Sequence, residues 1–202
     1  MARAVRLLAC SSLALLLCGC GAPSLREMPR DAVVLAFGDS LTFGTGAAPA
    51  DSYPAVLSRL TGLKVINAGV PGEVTDDGLK RLPGLLRAHA PALLILCHGG
   101  NDLLRGTNDR RIAENLSAMV ALAQEAHAEV LLLAVPRPRI LLRPPKFYAQ
   151  VADEHGVPRD VETLPRIIGK PAWMADEVHP NARGYEELAR AVAGRIRIGR
   201  QP

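Results

Sequence analysis

The sequence predicts an α/β fold of three layers, with helices on both faces of a doubly wound parallel sheet of about five strands. Three observations point there. Apolar runs of strand length alternate with stretches of helical periodicity from residue 32 to residue 196. The run at 92–97, Ala-Leu-Leu-Ile-Leu-Cys, is apolar without interruption, as a strand covered on both faces requires. The first three runs each end in a Gly-bearing polar loop: Gly38-Asp39-Ser40, Asn67-Ala68-Gly69 and Gly99-Gly100-Asn101-Asp102. Parallel strands place their carboxyl ends on one edge, so these loops converge. A chain of 202 residues, 49% apolar and 22% charged, is enough for one domain with a real core.

Residues 32–37 form the first strand and 42–51 a Gly/Ala/Pro loop. Residues 53–60 form a short helix, with Ser52 as candidate N-cap and Pro54 early in the first turn. Residues 63–67, with β-branched Val65 and Ile66, form the second strand, followed by the turn signals Pro71-Gly72. Leu79, Leu82, Leu85 and Leu86 mark one face of a helix over 75–89. Thr75 is placed to cap it, and Pro83 should kink or split it. The third strand, 92–97, is followed by a helix over 109–128 carrying Ile112, Leu116, Met119, Val120 and Ala123. The fourth strand, 130–135, leads into an irregular loop over 136–145 with Arg137, Arg139, Arg143, Ile140, Leu141 and Leu142. That loop reads either as a wall or lid of a site or as a solvated connector. A helix over 146–155 stops at Gly156, 157–161 reads as a short edge strand, 164–168 as a helical turn and 181–196 as the last helix.

The first residues stand apart from this pattern. Arg3 and Arg6 precede an apolar run over 7–17, shorter than the ~20 residues of a membrane span, as in a secretory signal. It ends Leu17-Cys18-Gly19-Cys20, which resembles a bacterial lipoprotein signal. The resemblance implies a signal peptide over 1–19, lipidation of Cys20, and a cell-envelope protein anchored to the membrane and facing the periplasm; the other readings are an ordinary signal peptide that releases the protein into the periplasm and an uncleaved anchor. Residues 20–31 then read as a tether and 32–198 as the folded domain. Cys97, in an apolar strand, reads as an inert core thiol. The net charge of +4 is scattered, with no basic block or aromatic interleaving, which argues against a nucleic-acid partner.

Ser40 ends the first strand, and Asp176-Glu177-Val178-His179 precedes the last helix. Serine chemistry needs a base for the hydroxyl proton, an acid to orient that base, and donors for the developing oxyanion. Ser40 supplies the hydroxyl, His179 the base and Asp176 the orienting acid. The N–H groups of Ser40 and Gly69 and the Asn101 amide are candidate donors. Asp39 and Asp102 read as braces of their own turns. His98 either lines the site or closes its strand. His89, His127 and His155 fall near helix ends, where a cation suits the dipole. No third ligand at zinc-like spacing accompanies Asp176 and His179, so the expectation is no metal and no cofactor.

The four ordered blocks Gly38-Asp39-Ser40-Leu41, Gly69, Gly99-Gly100-Asn101-Asp102 and Asp176-x-x-His179 resemble the motif set of the SGNH/GDSL hydrolases. Leu41-Thr42-Phe43-Gly44-Thr45-Gly46 and Asn101-Asp102-Leu103-Leu104-Arg105-Gly106 are similar to its arylesterase, lysophospholipase and acyl-CoA thioesterase branch. The resemblance implies a flavodoxin-like sheet and hydrolysis of small acyl, aryl or lysolipid esters or thioesters. It also implies Ser40 as nucleophile, His179 as base, Asp176 as its partner, and an oxyanion hole of Ser40, Gly69 and Asn101. Two rival readings are a carbohydrate acetyl esterase and a non-catalytic envelope binding lipoprotein. No Gly-x-Ser-x-Gly elbow surrounds Ser40.

Overall fold

The computed structural model describes residues 22–137 and 142–199. Its strands are β1 (Glu27–Met28), β2 (Val33–Gly38), β3 (Lys64–Gly69), β4 (Leu93–Cys97), β5 (Glu129–Leu133), β6 (Arg159–Asp160) and β7 (Arg197–Ile198). Its helices are α1 (Ser40–Phe43), α2 (Tyr53–Thr61), α3 (Thr75–His89), α4 (Gly100–Leu104), α5 (Asp109–Glu125), α6 (Phe147–His155), α7 (Thr163–Ile168) and α8 (Ala182–Ala193).

Five strands form one parallel sheet in the order β3-β2-β4-β5-β6. This is the flavodoxin-like order, with its switch point beside the first strand of the sheet, β2. Helices α2 and α8 pack together, and α3, α5 and α6 form a second group, which gives the three layers expected. The sheet centre is fully buried: Val34, Leu35, Ala36, Phe37 and all of Leu93–Cys97 are shielded. At the carboxyl edge Gly38 lies level with Gly69 on one side and Cys97 on the other. A Cβ on Gly38 would sit 1.8 Å from the Cys97 carbonyl oxygen, so only glycine lets the two strands come together here. Burial pushes the Cys97 thiol well up, so it stays protonated.

Several local expectations are corrected. The Ser52 hydroxyl donates to the Pro49 carbonyl (2.8 Å) rather than capping α2. Thr75 is the first residue of α3, not its cap. Its N–H and hydroxyl both donate to the Asp102 carboxylate (2.9 and 2.8 Å), so the capping acceptor comes from α4. Helix α3 runs unbroken through Pro83. Buried Leu82 and Leu86 hold it against its neighbours, and that packing outweighs the lost hydrogen bond. The polar stretches that follow the first and third strands of the sequence analysis open with short helices, α1 and α4.

The largest correction concerns residues 20–31. Cys20 and the preceding signal segment lie outside the described residues. From Ala22 on, the stretch read as a tether belongs to the domain. Leu25 and Met28 are buried, and β1 pairs in parallel with β7. The reason is visible in two apolar side chains spaced along an otherwise polar stretch, which find a partner strand beyond α8.

Candidate active site

Ser40 is the first residue of α1, directly after β2. The helix has only four residues, and Asp39 caps it by accepting the Leu41 N–H on Oδ1 (3.0 Å). The turn therefore lifts the Ser40 hydroxyl onto the carboxyl edge of the sheet. His179 sits in the segment that enters α8. The Ala175 N–H donates to its carbonyl (2.9 Å), Met174 bridges Pro180, and Asn181 caps α8 by accepting from Arg183 and Gly184. From α8, the buried Tyr185 hydroxyl donates to the Thr45 carbonyl (2.8 Å), tying the helix to the loop after Ser40.

These segments bring together groups 139 residues apart in the chain. Ser40 Oγ lies 3.0 Å from His179 Nε2, and His179 Nδ1 lies 2.7 Å from Asp176 Oδ2. A carboxylate only accepts, so Nδ1 carries the proton and the Nε2 lone pair faces the serine hydroxyl. Asp176 Oδ1 accepts the N–H groups of Val178 (2.8 Å) and His179 (2.7 Å), which fixes the carboxylate within its own turn. Burial acts to raise the Asp176 carboxyl. Hydrogen bonds from the His179 ring and the two N–H groups outweigh it and hold the carboxyl below its usual range. Asp176 is thus an anion beside the imidazole at neutral pH. The arrangement can take a proton from Ser40 and stabilise the imidazolium that results.

The cleft in front of Ser40 has a volume of about 1190 Å³. Asn101, the second residue of α4, lines it. One Nδ2 proton donates to the Glu73 carbonyl (3.0 Å), leaving the other for a ligand. Gly99, at φ +103°, makes the turn that puts Asn101 there.

Gly69 does not take the donor position expected of it. It belongs to β3, its N–H donates to Asn67 Oδ1 (3.0 Å), and it is packed against the backbone of Phe43, outside the cleft. The glycine of this loop that lines the cleft is Gly72, at φ +78°. Among the described residues its N–H has no partner, while its carbonyl accepts from Arg105 (3.0 Å). The Pro71-Gly72 turn signal marked this residue in the sequence, but strand-end position favoured Gly69.

His98 is fully buried behind the site, bonded to Glu73, and lines no part of the cleft. Leu104, Val135, Pro136, Leu142, Ile168 and Val178 give the cleft an apolar wall. Leu104 and Leu142 are among the few large apolar side chains left exposed among the described residues. Of the 136–145 loop, Pro136, Arg137 and Leu142 line the cleft, and Arg137 pairs with Asp109. Residues 138–141 lie outside the described residues, so the lid reading of that loop falls partly beyond them.

Known proteins share this architecture. The chain is 32% identical over 177 residues to an arylesterase of Vibrio mimicus, covering 79% of this chain and 86% of the relative. It is 33% identical over 156 residues to thioesterase 1/protease 1/lysophospholipase L1 of Escherichia coli K12, covering 73% and 75%. The crystal structure of AlinE4, an SGNH-hydrolase family esterase, superposes with a TM-score of 0.64 at 33% identity, over 85% of this chain and 96% of that one. Residues 36–187 match the family model described as GDSL-like Lipase/Acylhydrolase, and on that match and these identities the chain belongs to the GDSL-like lipase/acylhydrolase family.

Proposed function

We propose that this protein hydrolyses small acyl, aryl or lysolipid esters and thioesters through an acyl-enzyme at Ser40. The observation that carries this is the hydrogen-bonded line from Ser40 Oγ to His179 Nε2 to Asp176, opening on an apolar-walled cleft. His179 takes the hydroxyl proton as Ser40 attacks the carbonyl carbon. The tetrahedral oxyanion is held by the N–H groups of Ser40 and Gly72 and the Asn101 amide, each such donor lowering the barrier by ~2.7–4 kcal/mol. His179 then gives its proton to the leaving oxygen or sulfur, and the alcohol or thiol departs. Water, deprotonated by the same imidazole, attacks the acyl-serine and releases the acid. The wall of Leu104, Leu142, Ile168 and Val178 supports an acyl or aryl group over an acetylated sugar. The names of the relatives agree with that choice.

The reading includes a place in the cell. Arg3, Arg6, the apolar run over 7–17 and the ending Leu17-Cys18-Gly19-Cys20 support export and lipidation of Cys20, with the domain facing the periplasm.

Labelling with a fluorophosphonate tests the chemistry. Wild type should label and should release nitrophenol from a nitrophenyl butyrate; Ser40→Ala should do neither. Equal labelling of the two proteins would overturn the assignment of the nucleophile.

A further inference from the structure

Two of the three oxyanion donors come from different segments, Gly72 from the β3–α3 loop and Asn101 from α4. Their mutual position has to be set by something other than the sheet. Glu73 lies between them. Its carbonyl accepts from Asn101 Nδ2 (3.0 Å), and Gly72 is its chain neighbour. Its side chain, only 7% exposed, is gripped from two further elements. Arg81 of α3 donates to both carboxylate oxygens, from Nε to Oε1 (2.9 Å) and from Nη2 to Oε2 (2.6 Å). That guanidinium is itself fixed, donating to the Ala68 carbonyl (3.0 Å) and stacking 4.4 Å over the Phe37 ring. From the end of β4, fully buried His98 accepts the Gly99 N–H on Nδ1 (3.0 Å), so its proton is on Nε2 and is donated to Glu73 Oε2 (3.1 Å).

We infer that Glu73 is a positioning residue that locks the Gly72 and Asn101 donors into one unit, through a buried His98–Glu73–Arg81 junction. A surface ion pair would contribute little, but this carboxylate is enclosed and satisfied on both oxygens, so its loss frees the loop that carries one donor and holds the other. A second observation supports the junction. Gly78 of α3 faces it, and a Cβ there would lie 2.5 Å from His98 Nε2 and 3.3 Å from Glu73 Oε2. A helix interior normally favours Ala over Gly, so this glycine is explained by the room the pair needs.

The inference rests on Ser40 being the nucleophile. The experiment compares wild type, Glu73→Ala, Asn101→Ala and the double variant, with active sites counted by fluorophosphonate titration to completion. Per active site, Glu73→Ala should lower kcat on a nitrophenyl ester by ~10- to 100-fold, with KM moving less than about threefold. The double variant should fall at least about tenfold short of the product of the two single losses, because both changes disable the same unit. Single losses that multiply, or a Glu73→Ala with wild-type kcat, overturn the role. The rate of fluorophosphonate labelling is a second readout, since the phosphonyl oxygen uses the same donors. A wild type that labels but hydrolyses no ester counts against the esterase reading alone, and the labelling rates then decide the role of Glu73. A wild type that does neither overturns both. Should Glu73→Ala fail to fold, Gly78→Ala serves instead. It leaves Glu73 in place yet crowds the junction, and it should show the same loss in kcat; a Gly78→Ala enzyme with wild-type kcat overturns the inference.

Discussion

A methyl group added at residue 69 and one added at residue 72 would meet opposite surroundings. At Gly69 it would lie 2.1 Å from the Phe43 nitrogen, a backbone atom that cannot step aside, whereas at Gly72 it meets nothing within 4 Å. Gly72 does hold φ at +78°, which costs a non-glycine residue ~1–2 kcal/mol. Gly69→Ala should therefore disrupt the α1–β3 junction and yield little folded protein. Gly72→Ala should fold, with a melting temperature a few degrees lower, and should lose kcat as its N–H shifts. Thermal melts and kcat per titrated site check both halves; a Gly72→Ala enzyme with undiminished kcat would return the donor role to other groups. At this scale the sequence was informative about side chains: the structure brings Ser40, His179 and Asp176 into one hydrogen-bonded line and places Asn101 in the cleft beside Ser40. It was uninformative about which backbone N–H faces the cleft, because any residue can supply one and only the path of the loop decides which. Glu73 escaped notice for a related reason: its partners Arg81 and His98 sit 8 and 25 positions away and form no local motif.

At the scale of elements, α1 is capped by a buried carboxyl. Its cap, Asp39, is 1% exposed, and Oδ2 has no hydrogen-bond partner among the described residues. Burial pushes the carboxyl up; the nearby His98, the Leu41 and Gly100 N–H groups and His179 only partly offset it. A carboxyl raised on folding binds more protons in the native state than in the unfolded chain. Its contribution to stability is therefore full below the ordinary carboxylate range and is lost as pH rises through the raised value. Asp39→Asn removes that titration. Its melting temperature relative to wild type should rise between pH 4 and pH 7.5, and a difference that stays flat with pH would show that Asp39 does not titrate in this way. The strands and longer helices were legible because their apolar period or continuity is set by the sheet they cover. The ends were not. Ser52 and Thr75 look like caps by type, yet Asp102 caps α3 from a different segment, and such a partner is visible only once the fold has formed. Two-residue strands such as β1 and β7 carry no period at all and exist only because each pairs with the other.

For the molecule as a whole, the pairing of β1 with β7 fixes where the described N-terminal segment joins the domain. Arg26, next to β1, donates from its N–H and its side chain to Glu129, the first residue of β5. The N-terminal segment is therefore fastened at the amino edge of the sheet. Ser40 lies at the carboxyl edge, a strand length of about 20 Å away. If Cys20 carries the lipid, the free leash runs only from Cys20 to buried Leu25, a reach of at most ~17 Å. A domain of this size is roughly 40 Å across. Such a leash would not let the molecule turn over, so a lipid on Cys20 would hold the cleft away from the membrane. The anchored enzyme should then cleave water-soluble esters as fast as the released Cys20→Ser protein, yet gain no rate advantage on an ester confined to its own bilayer. Inserting about 20 Gly/Ser residues after Cys20 adds ~25 Å of mean reach and should create that advantage. Vesicles carrying a fluorogenic lysolipid, assayed with the native anchor, the extended anchor and the Cys20→Ser protein, separate the outcomes. A native-length anchor that already speeds cleavage in its own membrane would mean that the cleft faces the lipid, and a Cys20→Ser protein that stays with the membrane would mean that the attachment lies elsewhere in the chain.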